Sequence, residues 1–173
     1  GLCGTMSVGK TTLVNALKKL EQFKDYNFAT ERSQHLMSLG IPLNTDSTLK
    51  GQTVFLAERC GELMHDNIIT DRTILDVMAF TMNAKSIPYQ DKEAFEVYAS
   101  EFIREYDYIF YISPHGLEIE DNGIRETDEH YRDLIDFTIT TLIKRHGHKA
   151  GKIEKISGST EERIQQILKF TNL

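Results

Sequence analysis

Apolar residues along the chain switch repeatedly between a helical period and short continuous runs. Leu13, Val14, Leu17 and Leu20 recur every three to four residues and predict a helix near the N-terminus. Asn27–Thr30 reads as a short strand, and Leu36 with Leu39 predicts a brief helix stopping at Gly40. Pro42 and the polar run Asn44–Thr48 predict a loop. Phe55, Leu56, Cys60, Leu63 and Met64 then restore the helical period. Asn67–Thr70 is apolar between turn signals and predicts a buried strand, followed by a helix over Ile74–Thr81. Another helix begins at Pro88, with Phe95, Tyr98, Phe102 and Ile103 on its inner face.

Tyr108–Ile112 is β-branched and aromatic throughout, the clearest strand, and it ends at Ser113-Pro114. Residues 115–126 carry few apolar positions and predict a loop. A long helix follows from about Thr127 to His146, with Tyr131, Leu134, Ile135, Ile139 and Leu142 facing inward and Gly147 ending it. Glu154–Ser157 is the last predicted strand. Ser159-Thr160-Glu161-Glu162 is a capping box, opening a helix lined by Ile164, Ile167 and Leu168.

Strands alternating with helices imply right-handed crossovers and a parallel sheet covered on both faces. The expected fold is α/β: three αβα layers with a five-stranded parallel sheet and a small lid over about 115–132, one domain over 1–173. Only Gly1-Leu2-Cys3 precede the first turn signal, so the first strand reads as cut short. Ligands of such sheets bind at the carboxyl ends of strands, and those ends hold the notable polar residues.

Charge narrows the classes of partner. The formal net charge of −6 argues against broad, sequence-independent nucleic-acid binding. The cations from Lys144 onward read as a solvated helix face. Cys3 and Cys60 lack metal-ligand spacing and read as reduced thiols of a cytoplasmic protein. His146 and His148 are the one close histidine pair, and no acidic or cysteine cluster joins them. No run approaches the roughly 20 apolar residues a membrane span needs, and no leader pattern opens the chain.

The segment Gly4-Thr5-Met6-Ser7-Val8-Gly9-Lys10-Thr11 matches G-x-x-x-x-G-K-[ST] between a predicted strand and helix. Gly4 and Gly9 let the backbone approach phosphate, and the amides of the loop, running on to Thr12, point at the anion. Lys10 can neutralise β- and γ-phosphate charge, and the Thr11 hydroxyl can ligate Mg²⁺. The motif implies ATP or GTP and leaves the reaction open.

The other strand ends bear on the reaction. Glu31-Arg32 follows the second strand: Glu31 can take a proton from an attacking hydroxyl, hold an acceptor, or merely complement a helix dipole. Asp71-Arg72 follows the third: Asp71 suits a Mg²⁺-bound water and Arg72 a phosphate, with a surface ion pair as the plain alternative. Asp121-Asn122-Gly123-Ile124-Arg125 and then Tyr131-Arg132 follow the fourth: Arg125 and Arg132 suit a closing lid that stabilises a transferring phosphoryl group, against a solvated loop. Gly158-Ser159 ends the fifth, either passing near an adenine ring or forming a capped turn.

Taken together, the P-loop, Glu31-Arg32, Thr70-Asp71-Arg72, Asp121-x-Gly123-x-Arg125 and Gly158-Ser159 resemble ribosylnicotinamide kinase domains and related P-loop kinase-like AAA-type ATPases, frequent in bacterial and phage proteins. The order is also similar to that of deoxyribonucleoside and thymidylate kinases. The resemblance implies ATP- and Mg²⁺-dependent transfer of the γ-phosphate to a hydroxyl of a nucleoside-like acceptor. It makes Glu31 the base and Asp71-Arg72 the metal and phosphate pair, beside the Lys10, Thr11 and Arg125 already singled out. Thymidylate kinases accept a nucleotide instead, and some phage kinases of this kind act on hydroxymethylated pyrimidines in DNA. Homodimers are common among them. The chain has no tryptophan, a departure from ribosylnicotinamide kinases that argues against nicotinamide riboside as acceptor. An NTP-dependent regulatory switch is the reading from another class, weakened by the lack of an Asn-Lys-x-Asp guanine signature.

Overall fold

A computed structural model describes residues 1–30, 33–117 and 128–173. The strands are β1 (Leu2–Cys3), β2 (Asn27–Ala29), β3 (Ile68–Thr70), β4 (Tyr108–Ile112) and β5 (Lys152–Ile156). The helices are α1 (Lys10–Leu17), α2 (Ser33–Ser38), α3 (Leu49–Glu62), α4 (Ile74–Asn83), α5 (Tyr89–Ser100), α6 (Glu129–His146) and α7 (Thr160–Thr171).

All the strand pairs are parallel, but they form two ladders where one of five strands was expected. The first is a three-stranded sheet in the order β1-β4-β5, the second pairs β2 with β3. A single bridge, Leu2 to Asp71, joins them. The physical reason is the length of β1: two residues offer too few backbone groups to ladder with β3 on one side and β4 on the other. The Arg72 amide still donates to the Leu2 carbonyl at 3.0 Å, so the two ladders meet edge to edge beside β1.

Strand alternation sends successive side chains to opposite faces. Cys3, Ile109 and Tyr111 pack with Ile74, Met78 and Ile135 on the face covered by α3 to α6. Leu2, Phe110, Ile112 and Ile156 pack with Leu13 and Ile167 on the face covered by α1 and α7. Three layers result, with α4 central on its side between α3, α5 and α6.

Local signals fix several boundaries. Thr48 caps α3, its hydroxyl accepting the Gly51 amide at 3.1 Å. α3 ends at Glu62, so the apolar period overruns it and leaves Met64 84% exposed. Asp128 caps α6 by accepting the His130 amide. Gly147 ends α6 with φ −60 and leads into a short 3₁₀ turn, so its glycine freedom is unused there. β5 starts at Lys152, earlier than the apolar pattern suggests, because it pairs with Tyr108 at the start of β4. The Ser159–Glu162 capping box forms, at 3.2 Å for the amide to the hydroxyl and 2.7 Å for the return bond.

Candidate active site

The loop between β1 and α1 is held by contacts from distant parts of the chain. A Cβ at Gly4 would lie 2.5 Å from the Ile112 carbonyl oxygen, so only glycine lets β1 leave the sheet there. The loop turns through left-handed conformations at Ser7 and Gly9. The Gly4 amide donates to Asp76 Oδ1 at 3.1 Å. Asp76 Oδ2 accepts from the Thr73 amide and hydroxyl at 2.7 and 2.8 Å, closing a capping box on α4. One buried carboxylate therefore caps α4 and pins the start of the P-loop. On the other side, Arg163 Nη1 of α7 donates to the Val8 carbonyl at 2.7 Å. The Thr5 hydroxyl donates to the Arg132 carbonyl at 3.3 Å, tying the loop to α6.

Lys10 is buried, and its ammonium donates to the Gly4 and Thr5 carbonyls, each at 2.6 Å. An ammonium has three donors, so one is left for a phosphate oxygen. Burial, and then the nearby positive charge of Arg72, lower the Lys10 pKa to about 8. Thr12 is exposed on the first turn of α1.

Thr11 and Asp71 meet across the seam between the two ladders. The Thr11 hydroxyl donates to Asp71 Oδ2 at 2.5 Å. Asp71 is 1% exposed, and its Oδ1 has no hydrogen-bond partner among the described residues. Arg59 Nη1 supports the residue by donating to its carbonyl at 2.9 Å, and Arg59 is itself paired with Glu62 at 2.7 Å. A hydroxyl beside a carboxylate with an uncommitted oxygen is a donor set suited to Mg²⁺, which takes few protein oxygens and completes its shell with water and phosphate. The pair fits that ion. Among the described residues no group of three or more His, Cys, Asp or Glu side chains forms a metal cluster. His146 instead bonds Glu96 at 2.8 Å.

Arg72, the residue after Asp71, lines a small cavity of about 40 Å³ with Ser33, Asn44, Gln52, Phe55 and Phe80 among others. Arg72 has φ 82, and its guanidinium lies 5.0 Å over the Phe80 ring. Gln52 is 3% exposed and lines the cavity together with Phe55 and Phe80. A side-chain amide on the wall of an aromatic cavity can pair with the edge of a heterocycle.

Of the other residues singled out from sequence, Glu31, Arg32, Asp121, Asn122, Gly123, Ile124 and Arg125 lie outside the described residues, as does most of the expected lid. Arg132 is near the P-loop, but its Nη1 donates to the Leu117 carbonyl at 2.7 Å while its Nε has no partner among the described residues. Gly158, at φ 94, and Ser159 form the turn into α7 beside an open groove lined by Glu161, Glu162, Gln165 and Gln166. Gln166 bonds both the amide and the carbonyl of Ser157 there.

Three residues were missed by the sequence reading. Asp76 had a signal: Thr73-x-x-Asp76 before an apolar run is a capping box. Gln52 had a weaker one, since Gln52, Leu56, Arg59 and Leu63 share one helical stripe on which two polar residues interrupt the apolar period. Arg163 had none, because only the docking of α7 on the P-loop brings it there.

Solved structures with the same architecture include the deoxyadenosine kinase from M. mycoides with dCMP and a flexible dCDP bound, at TM-score 0.67 and 17% identity over 99% of this chain and 96% of that one. The same kinase with bound dCTP aligns at TM-score 0.66 and 17% identity, over 99% and 97%. The YorR protein from Bacillus subtilis in complex with phosphorylated GDP aligns at TM-score 0.61 and 17% identity, over 99% and 94%. These likenesses establish the α/β P-loop kinase fold. No curated protein matches the chain in sequence. No helix among the described residues is long and apolar enough to cross a membrane. Residues 2–163 match the AAA domain family, and with its P-loop seated at the end of β1 the chain belongs to that family.

Proposed function

We propose that the chain is a small-molecule kinase that uses ATP and Mg²⁺ to phosphorylate a hydroxyl of a nucleoside-like acceptor. The observation that carries this reading is the common wall between two subsites. Asp71 faces Thr11 of the P-loop at 2.5 Å, and the next residue, Arg72, lines the aromatic cavity. A donor phosphate and an acceptor would thus meet over consecutive residues at the end of β3.

On this reading the P-loop amides and Lys10 bind the β- and γ-phosphates. Thr11 and Asp71 hold Mg²⁺, which supplies charge neutralisation on the phosphates when bound. Gln52 hydrogen-bonds the edge of a heterocycle between Phe55 and Phe80. Glu31 takes the proton of the acceptor hydroxyl, whose oxygen forms a bond to the γ-phosphorus as the bond to the β-phosphate oxygen breaks. Arg72 and Arg125 offset the charge spread over the transferring group. Of the described residues lining the cavity Arg72 is the one cation, which favours an uncharged nucleoside over a nucleotide acceptor.

Incubation with Mg²⁺-ATP and a panel of nucleosides, nucleoside monophosphates and hydroxymethyluracil-containing DNA, read by ADP release and product mass, tests the proposal. A mass gain of one phosphate on a nucleoside is expected. Phosphorylation of monophosphates alone would replace the acceptor class. ATP binding with no phosphorylated product would favour a regulatory switch.

A further inference from the structure

Arg163 lies far from the P-loop in sequence and against it in space. It is 7% exposed, and its guanidinium donates to the Val8 carbonyl at 2.7 Å. A Cβ at Gly9 would sit 3.3 Å from the same nitrogen. Its Nε is buried with no acceptor among the described residues. No carboxylate among the described residues pairs with it, unlike Arg59 and Arg145, which have Glu62 and Glu96. The adjacent acid, Glu162, is occupied by the capping box, its carboxylate accepting the Ser159 amide at 2.7 Å. Burial lowers the pKa of Arg163. A guanidinium does not give up its proton in a protein, so folding leaves an uncompensated cation beneath the phosphate loop.

The peptide after Val8 is trans, since there is no cis peptide bond among the described residues. In a trans peptide the carbonyl and the amide point to opposite sides. Drawing the Val8 carbonyl toward Arg163 therefore turns the Gly9 amide the other way, toward the side where a P-loop gathers its anion. We propose that Arg163 is a nucleotide-positioning residue: it aims the Gly9 amide, and its charge is offset by the phosphates of the bound nucleotide in place of a protein carboxylate. The inference rests on the phosphate-binding reading of the loop and adds α7 to the machinery of that site.

The test compares wild type, Arg163→Gln and Arg163→Lys for binding of Mg²⁺-ATP and of inorganic tripolyphosphate, with melting temperature recorded without ligand. Arg163→Gln should weaken both ligands by about ten- to a hundredfold, the scale of a lost charge-assisted bond. Its ligand-free melting temperature should hold or rise, because an unpaired buried charge has gone. Arg163→Lys should recover part of the affinity. An unchanged tripolyphosphate affinity in Arg163→Gln overturns the proposal. So does a lower melting temperature or an unfolded protein, which would mark a simple brace between α7 and the loop. Wild type that binds neither ligand would overturn the phosphate reading as well, whereas wild type that binds both equally with Arg163→Gln removes this inference alone.

Discussion

Lys10 gives the site a pH dependence with two opposing signs. Its pKa is about 8 in the folded chain, against the ordinary 10.5. Between those values the unfolded chain holds the proton more fully than the folded one, so this group makes the free protein more stable as pH rises across the window. Phosphate binding prefers the protonated lysine, so the affinity for Mg²⁺-ATP should fall as pH rises through 8, by up to about tenfold per pH unit. Titration calorimetry between pH 7 and 9.5 reads this directly, and a flat affinity would detach Lys10 from the phosphates. Gln52 makes a second prediction. Gln52→Ala should raise the acceptor KM about tenfold or more, the cost of one recognition hydrogen bond in a dry pocket, while the ATP KM stays unchanged. Equal changes in both would show that the amide serves the fold. The P-loop was legible because its chemistry is contiguous in sequence. Gln52 was not, because its meaning depends on where α3 lies against Phe80 of α4.

At the scale of elements, α4 carries more than its length suggests. Asp76, 0% exposed, satisfies the Thr73 amide and hydroxyl and the Gly4 amide together. Asp76→Ala would strand those donors inside the protein and should destabilise it by ~2–4 kcal/mol. It should also loosen the P-loop, seen as weaker nucleotide binding in the fraction that folds; urea unfolding with and without ATP separates the two effects. Ser159→Ala offers a contrast at α7: loss of that cap should cost about 1 kcal/mol. The elements were legible wherever period and cap agreed, as at Ser159, Pro88 and Tyr108–Ile112. The division of the sheet was not, because hydrophobic pattern predicts strands and says little about how many ladder bonds each neighbour makes. β1 contributes the P-loop, yet it has two residues with which to hold the ladders together.

For the whole molecule, the arrangement separates duties between faces of the sheet. The face under α1 and α7 holds the phosphate loop, and the face under α3 to α6 builds the cavity beside Asp71. Ligands that bind across the seam should stabilise the chain globally. Mg²⁺-ATP at a hundred times its dissociation constant should add about 2.7 kcal/mol, and adding the acceptor with a non-hydrolysable ATP analogue should raise the melting temperature further. An acceptor that gives no further rise in the presence of the analogue would place its site elsewhere.

Arg132 shows how these parts are coupled. Its guanidinium grips the Leu117 carbonyl at 2.7 Å, and its own carbonyl receives the Thr5 hydroxyl at 3.3 Å. Leu117, just beyond β4, and the first turn of α6 are therefore fastened to one side chain, and the same residue is fastened to the phosphate loop. Three stretches far apart in sequence share a single clasp, so a change felt at any one of them is passed to the other two.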